Sequence, residues 1–312
     1  MKIKLLLIFC VSLLVAGCGD ERPDRLKSNI QTVDYLVKDL GRNIQGHKIR
    51  NVIILQEYEK LLSAKKPELK PLLTQLGLDA TTDGPMYQGL LSRLKTLKEK
   101  PEVLGGIEAQ LSESEVLIDA ADANLFNDLL SDPINVIADM SDGKLARVNA
   151  ISKQRSLKAN KAQDNGAGSQ LIGNPSYGSW QTNTSGASFW QWYGMYSMFS
   201  TLTSRPIYYH SWSANRDYSY YNDYGRNRYT SPQQMKSQNS LATKTKKQFA
   251  NKGGFKSPYA KSKTGASRMS SSSLKAKRAQ PFSSKSSYSK AKSSSSFRNS
   301  QSTTSRGISR GK

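Results

Sequence analysis

Few residues of this 312-residue chain have the type and spacing to do covalent chemistry. The sequence holds no Gly-x-Ser-x-Gly elbow, no phosphate-binding loop and no His-Glu-x-x-His pair. Glu57 and Glu59 lie two apart, so on a helix they point to different sides and make a poor acid–base pair. Asp128, Asp132, Asp139 and Asp142 fall where helix caps and turns are expected, and Gly105-Gly106 reads as a loop breaker. Glu113, Glu115, Asp119 and Asp122 are expected to favour a helix amino terminus and solvate its exposed face. His210 lies among aromatic residues as a stacking or hydrogen-bonding partner. No catalytic residue, metal ligand or cofactor is assigned.

The chemistry that the sequence does offer is cationic and aromatic. Residues 224–312 carry 21 of the 46 Lys and Arg and none of the 24 Asp and Glu, so nearly all of the net charge of +22 belongs to that stretch. Its clusters are Lys246-Lys247, Lys275-Ala276-Lys277-Arg278 and Lys290-Ala291-Lys292, with Phe249, Phe255, Tyr259, Phe282, Tyr288 and Phe297 interleaved. Lys246, Lys247, Lys275, Lys277, Arg278, Lys290 and Lys292 are candidate polyanion contacts, because each cation that meets a charged polymer releases a counterion. All four tryptophans and ten tyrosines fall within residues 177–229. Trp190, Trp192, Tyr193 and Tyr196 are candidate contacts to a membrane interface or to sugar rings, since each joins an apolar body to a polar tip. The same aromatics could instead pack on the rest of the protein or on one another as a small β-like element, or self-associate through Tyr/Ser/Asn-rich sequence.

The amino terminus decides between partners. Lys2 and Lys4 precede an uncharged run from Leu5 to Gly17, 13 residues long. As a helix that run spans roughly 20 Å, too short for the roughly 30 Å core of a bilayer, and it reads as an export signal. It ends in Val15-Ala16-Gly17-Cys18, which resembles the lipobox of bacterial lipoproteins and matches it at every position. The resemblance implies cleavage between Gly17 and Cys18, a thioether lipid on Cys18 and acylation of the new amino terminus. Several acyl chains make such an anchor stable. Gly19 after the cysteine implies passage to the outer membrane, facing the periplasm or the surface, whereas Asp20 opposes that sorting in some bacteria. Cys10 leaves with the signal, so no disulfide or thiolate metal site is expected, and His47 and His210 are too few for a zinc site. In an exported chain the abundant polyanions are anionic phospholipid, lipopolysaccharide and cell-wall polymers, with extracellular or imported DNA less favoured, and the stretch could instead be a solubilising spacer.

Several elements must position these groups. Leu26, Ile30, Val33, Val37, Leu40 and Ile44 form a heptad stripe that predicts a helix over 25–44. Further helices are expected over 48–62, 68–76 (closed by a left-handed Gly77), 85–100 (with Pro85 in the first turn), 112–130 and 133–141. Ser112 and Glu115 have capping-box spacing, and residues 145–151 could add a last turn.

The expected fold is mainly α: a small helical bundle-like domain, an aromatic-rich segment and a disordered basic tail. The boundaries read as signal peptide 1–17, lipidated amino terminus 18–21, helical domain 22–158, polar linker 159–176, aromatic segment 177–230 and Ser/Lys/Arg-rich tail 231–312, whose apolar content is too sparse to offset chain entropy. The tail, with Lys252-Gly253-Gly254-Phe255-Lys256-Ser257 and a Ser/Arg/Gly-rich end, also resembles those of YgiB-like bacterial lipoproteins, a likeness that implies no activity. The expected function is a non-enzymatic, lipid-anchored envelope protein whose cations contact anionic envelope polymers or membrane. The alternatives are a docking subunit of an envelope assembly and an enzyme of unrecognised type acting on wall or lipid.

Overall fold

The protein is mainly helical. The computed structural model describes residues 20–203, 205–250, 254–259, 263–265 and 269–278. The heptad stripe forms α1 (Arg22–Gln45), which buries Leu26, Val33, Val37, Leu40 and Ile44 while its charged faces stay wet. It is followed by α2 (Arg50–Lys65), a 3-10 turn at Pro67–Leu69, α3 (Lys70–Gly77) and α4 (Pro85–Glu99). Pro85 is the first residue of α4, where its missing N–H costs no hydrogen bond. Gly77 is not the left-handed cap expected: its φ of −60° keeps the chain right-handed into a second 3-10 turn, Leu78–Ala80.

The expected helix over 112–130 is two helices, α5 (Ile107–Ala120) and α6 (Ala123–Leu129). Ser112 and Glu115 therefore lie inside α5 rather than at its start, and Gly106 provides the entry. The break is made by Asp122, whose side chain accepts hydrogen bonds from the Asn124 and Leu125 amides at 2.8 and 3.0 Å and so caps α6. α7 (Ser131–Met140) is almost wholly buried. Asp142 and Gly143, both at positive φ, then turn the chain away, and residues 145–151 form no helix before α8 (Lys153–Asn160).

Gly41 inside α1 marks a close approach. A Cβ there would collide with the Tyr87 phenol of α4, whose hydroxyl donates to the Val37 carbonyl at 3.0 Å. The glycine lets two helices of the bundle meet with a buried donor satisfied, which offsets its poor helix propensity.

The stretch 159–176 does not behave as a linker. Ser169, Gln170, Leu171, Ile172 and Asn174 are buried, and Leu171 and Ile172 join the core. The chain then forms an antiparallel hairpin of β1 (Gly178–Thr182) and β2 (Ser188–Trp192), in which Trp180 lies opposite Trp190. Short helices follow: α9 (Met198–Leu202), α10 (Tyr209–Asn215), a single π-helical turn over Tyr221–Gly225, and α11 (Arg226–Tyr229).

The segment expected to be disordered from residue 231 opens instead with a helix, α12 (Pro232–Gln248). Its start is a complete capping box: Ser231 Oγ accepts from the Gln234 amide at 3.3 Å, and Gln234 Oε1 accepts from the Ser231 amide at 3.0 Å. Pro232 occupies the first turn. Farther on, Pro258, Lys263, Ser270 and Ser273 contact the body, and α13 (Ser271–Arg278) is the last described element. Residues 279–312 lie outside the described residues.

Candidate functional site

The aromatic residues are turned inward. Trp180 meets Trp190 and Tyr209 edge to face at 5.1 and 4.9 Å and lies 5.2 Å from Trp212, while Trp192 packs on Phe199 at 4.8 Å. Tyr196 meets Tyr177 edge to face at 5.1 Å. Trp190, Trp192 and Tyr196, expected as membrane or glycan contacts, are therefore buried, because stacking on one another and on the bundle removes more apolar surface than a solvent-facing strip could. Of that set Tyr193 alone is exposed, at 46%. His210 stacks between Tyr208 and Phe249, in line with the stacking role expected of it.

What fastens this cluster to the bundle is a set of buried carboxylates. Asp132, in the first turn of α7, accepts from the backbone amides of Tyr220 and Tyr221 at 2.8 and 3.0 Å and from the Ser219 hydroxyl at 2.8 Å. It is thus a cap, as its sequence context suggests, but of a segment almost ninety residues away. Burial pushes its carboxyl up to about 7, against the pull of those three donors. Asp79 accepts from the Tyr177 hydroxyl at 2.6 Å, and burial raises it likewise to about 7. Asp128 receives the Ser270 amide at 3.1 Å and the Ser273 hydroxyl at 2.6 Å, which ties α13 to α6.

Glu113 does not solvate α5. It is buried and takes both Nε and Nη2 of Arg93 at 2.7 and 3.0 Å, while Arg93 Nη1 reaches the carbonyl of Arg228. Arg216 and Asp223 form a two-pronged pair with side chains 1% and 0% exposed. Arg216 also donates to the Pro258 carbonyl at 3.0 Å, and Asp223 accepts the Lys263 amide at 3.0 Å. These carboxylates all have structural partners, and among the described residues no group of three His, Cys, Asp or Glu could hold a metal.

The candidate binding surface is cationic. α12 carries no acidic residue, and its Lys236, Lys244, Lys246 and Lys247 are all exposed, with no carboxylate paired to them among the described residues. The helix is held to the body at few points. Gln238 reaches the Gly173 carbonyl and the Tyr221 hydroxyl at 3.4 and 3.3 Å, and Arg226 donates to Gln238 and Asn239 at 2.6 and 2.8 Å. Thr245 is buried and Leu241 and Ala242 are partly so. Along its flank runs an open groove of about 1300 Å³ whose rim includes Lys236, Lys244, Lys247 and Arg226. Its one acid, Glu113, is already committed to Arg93.

The groove brings together one expected cation, Lys247, with three that the clusters did not mark. For the two on α12 the signal is helical: positions 236, 240, 244 and 247 follow spacings of 4, 4 and 3, a stripe visible only once 231–248 is read as a capped helix, whereas Arg226 joins them only through the fold. Lys246 points to another face, and Lys275 is exposed on α13. Lys277 and Arg278 close α13 by its bounds, with their side chains outside the described residues, as are Gly17, Cys18, Lys290 and Lys292.

No described helix is long and apolar enough to cross a membrane. Comparison with protein families, with curated proteins and with solved structures gives no match.

Proposed function

We propose that the protein is a lipid-anchored binding protein of the bacterial envelope, held by Cys18 and contacting anionic membrane or envelope polymer through its carboxyl-terminal third. The observation that carries this reading is charge segregation: every acid precedes residue 224, and 21 cations follow. The four lysines of α12 add to it, since they extend into solvent with no carboxylate to neutralise them among the described residues. Near an anionic surface each such cation contributes about 1 kcal/mol at low salt, less as salt screens it. The lipobox places the anchor at the opposite end of the chain.

Two measurements test the reading. Intact-mass analysis of membrane-extracted protein should show acylated Cys18, lost in Cys18→Ser. Residues 18–312 carrying Cys18→Ser, without the apolar run over residues 5–17, should float with vesicles of phosphatidylglycerol in phosphatidylcholine, or with lipopolysaccharide, and be released by salt. Flotation that ignores salt, or that occurs equally on phosphatidylcholine alone, rejects the polyanion role.

A further inference from the structure

The groove beside α12 has a second property besides its cations. Its floor is apolar: Val116 of α5, Met235 and Ala242 of α12, and the ring of Tyr259, over which Arg226 stacks at 3.8 Å. An inorganic anion or a plain polyanion would use the rim and leave that floor wet. Apolar surface exposed in a groove together with a cationic rim suits an anionic amphiphile, whose charged head meets lysine and whose tail covers the floor. The chain's own residues 279–312 are poor occupants, because they hold seven cations and no acid and would be repelled by the rim.

The groove also lies near the end of the molecule that leads to the anchor. Glu108 and Glu115 of α5 pair with Arg22 and Arg25 in the first turns of α1, at 2.9 and 2.5 Å. Val116, on the groove floor, is the next residue after Glu115. Cys18 precedes Arg22 by four residues, which an extended chain covers in about 14 Å. A bilayer that held the Cys18 lipid would therefore stand within a short reach of the groove mouth.

We propose that this groove seats a single anionic phospholipid of that bilayer, its phosphate against Lys244 and Lys247, one turn apart on α12, and an acyl chain along Ala242, Val116 and Met235, with Lys236 adding positive potential farther along the rim. The proposal rests on the envelope-binding reading above and deepens it from a diffuse charge contact to a defined lipid site. α12 is then a membrane-facing element, and the groove orients the helical domain on the surface to which the amino terminus is tethered.

The experiment uses residues 18–312 carrying Cys18→Ser and a short-chain phosphatidylglycerol below its micelle concentration. Native mass spectrometry and titration calorimetry read the stoichiometry and affinity. One lipid per chain is expected, with at least a tenfold loss in the triple variant K236Q/K244Q/K247Q and a severalfold loss in Met235→Gln. Glycerol phosphate, the head without tails, should bind at least tenfold more weakly, and short-chain phosphatidylcholine should not bind. All three lysines are exposed, so the triple variant should keep its melting temperature. Equal binding of glycerol phosphate and of the lipid would overturn the proposal in favour of a bare phosphate site. So would tighter, lysine-dependent binding of an acidic amphipathic peptide, or lipid binding that the triple variant and Met235→Gln leave unchanged. In that last case salt-sensitive flotation on anionic vesicles can survive through the other cations, so loss of the lipid site and loss of the envelope-binding role are read separately.

Discussion

The helical domain and the region that follows it are built by different means. In α1 to α7 the elements meet through continuous apolar stripes, and the buried residues are chiefly leucine, isoleucine and valine. From residue 169 to 230 the elements are short, and apolar contact is concentrated in one aromatic cluster; α12 follows as a long helix laid on the body at few points. The rest of that region is fastened by hydrogen bonds to carboxylates: Asp79, Asp128 and Asp132 reach out of the bundle, and Asp223 holds Arg216 within the region itself. A region with no acid after residue 223 borrows acceptors from the region that has them. Apolar stripes tolerate loss of one contact by partial collapse, whereas a buried donor without its acceptor bears its full desolvation penalty. The two regions should therefore fail differently.

The largest effect is expected where a buried charge loses its partner. Arg216→Ala leaves Asp223 uncompensated in the interior and should cost about 3–5 kcal/mol. Asp132→Ala strands the amides of Tyr220 and Tyr221 and should cost on the order of 3 kcal/mol. In both variants urea unfolding followed by tryptophan fluorescence should precede the loss of far-ultraviolet ellipticity, because all four tryptophans lie between residues 180 and 212, beyond the helical domain. Coincident transitions would show that the two regions unfold as one unit.

Leu72→Ala, at a fully buried position of α3, should cost about 2–4 kcal/mol and lower both signals together. Gly41→Ala forces the Tyr87 phenol off the Val37 carbonyl and should cost about 1–3 kcal/mol, although alanine is the better helix former. A stabilised Gly41→Ala protein would show that the α1–α4 approach is not tight.

pH separates the regions further. Burial raises Asp79 from 3.8 to about 7, so the folded chain holds a proton that the unfolded chain has released between those values. Its contribution makes stability greatest in mild acid and lowers it as pH rises through about 4 to 7. Asp79→Asn keeps an acceptor for Tyr177 while removing the charge, and should flatten that part of the pH profile in thermal melts. The smallest effect is expected at α12: K236Q/K244Q/K247Q should shift stability by less than about 0.5 kcal/mol, which a denaturant midpoint can check, while the expected lipid binding falls.

Much of the bundle is legible from residue spacing. The stripe from Leu26 to Ile44 and Pro85 at the head of α4 act through neighbours three or four residues away, and so does the turn at Asp142-Gly143. Asp122 escaped because its cap interrupts a continuous apolar pattern. The capping box at Ser231 and Gln234 was equally local, and it was obscured by the polar composition that follows it. The candidate groove was legible only in part, since its lysines share one face of a helix whose existence composition argued against.

The sequence by itself determined the segregation of charge and the helical character, because each depends on residue type and short-range order. Tertiary structure decided that the tryptophans face inward, that 169–177 belongs to the core and that Asp132 caps a turn far along the chain. It also decided that Lys236, Lys244 and Lys247 share a groove with an apolar floor. The physical reason is range. Propensity and capping act over a few residues, whereas burial of an aromatic ring or a carboxylate depends on which distant segment can fill its contacts and satisfy its hydrogen bonds.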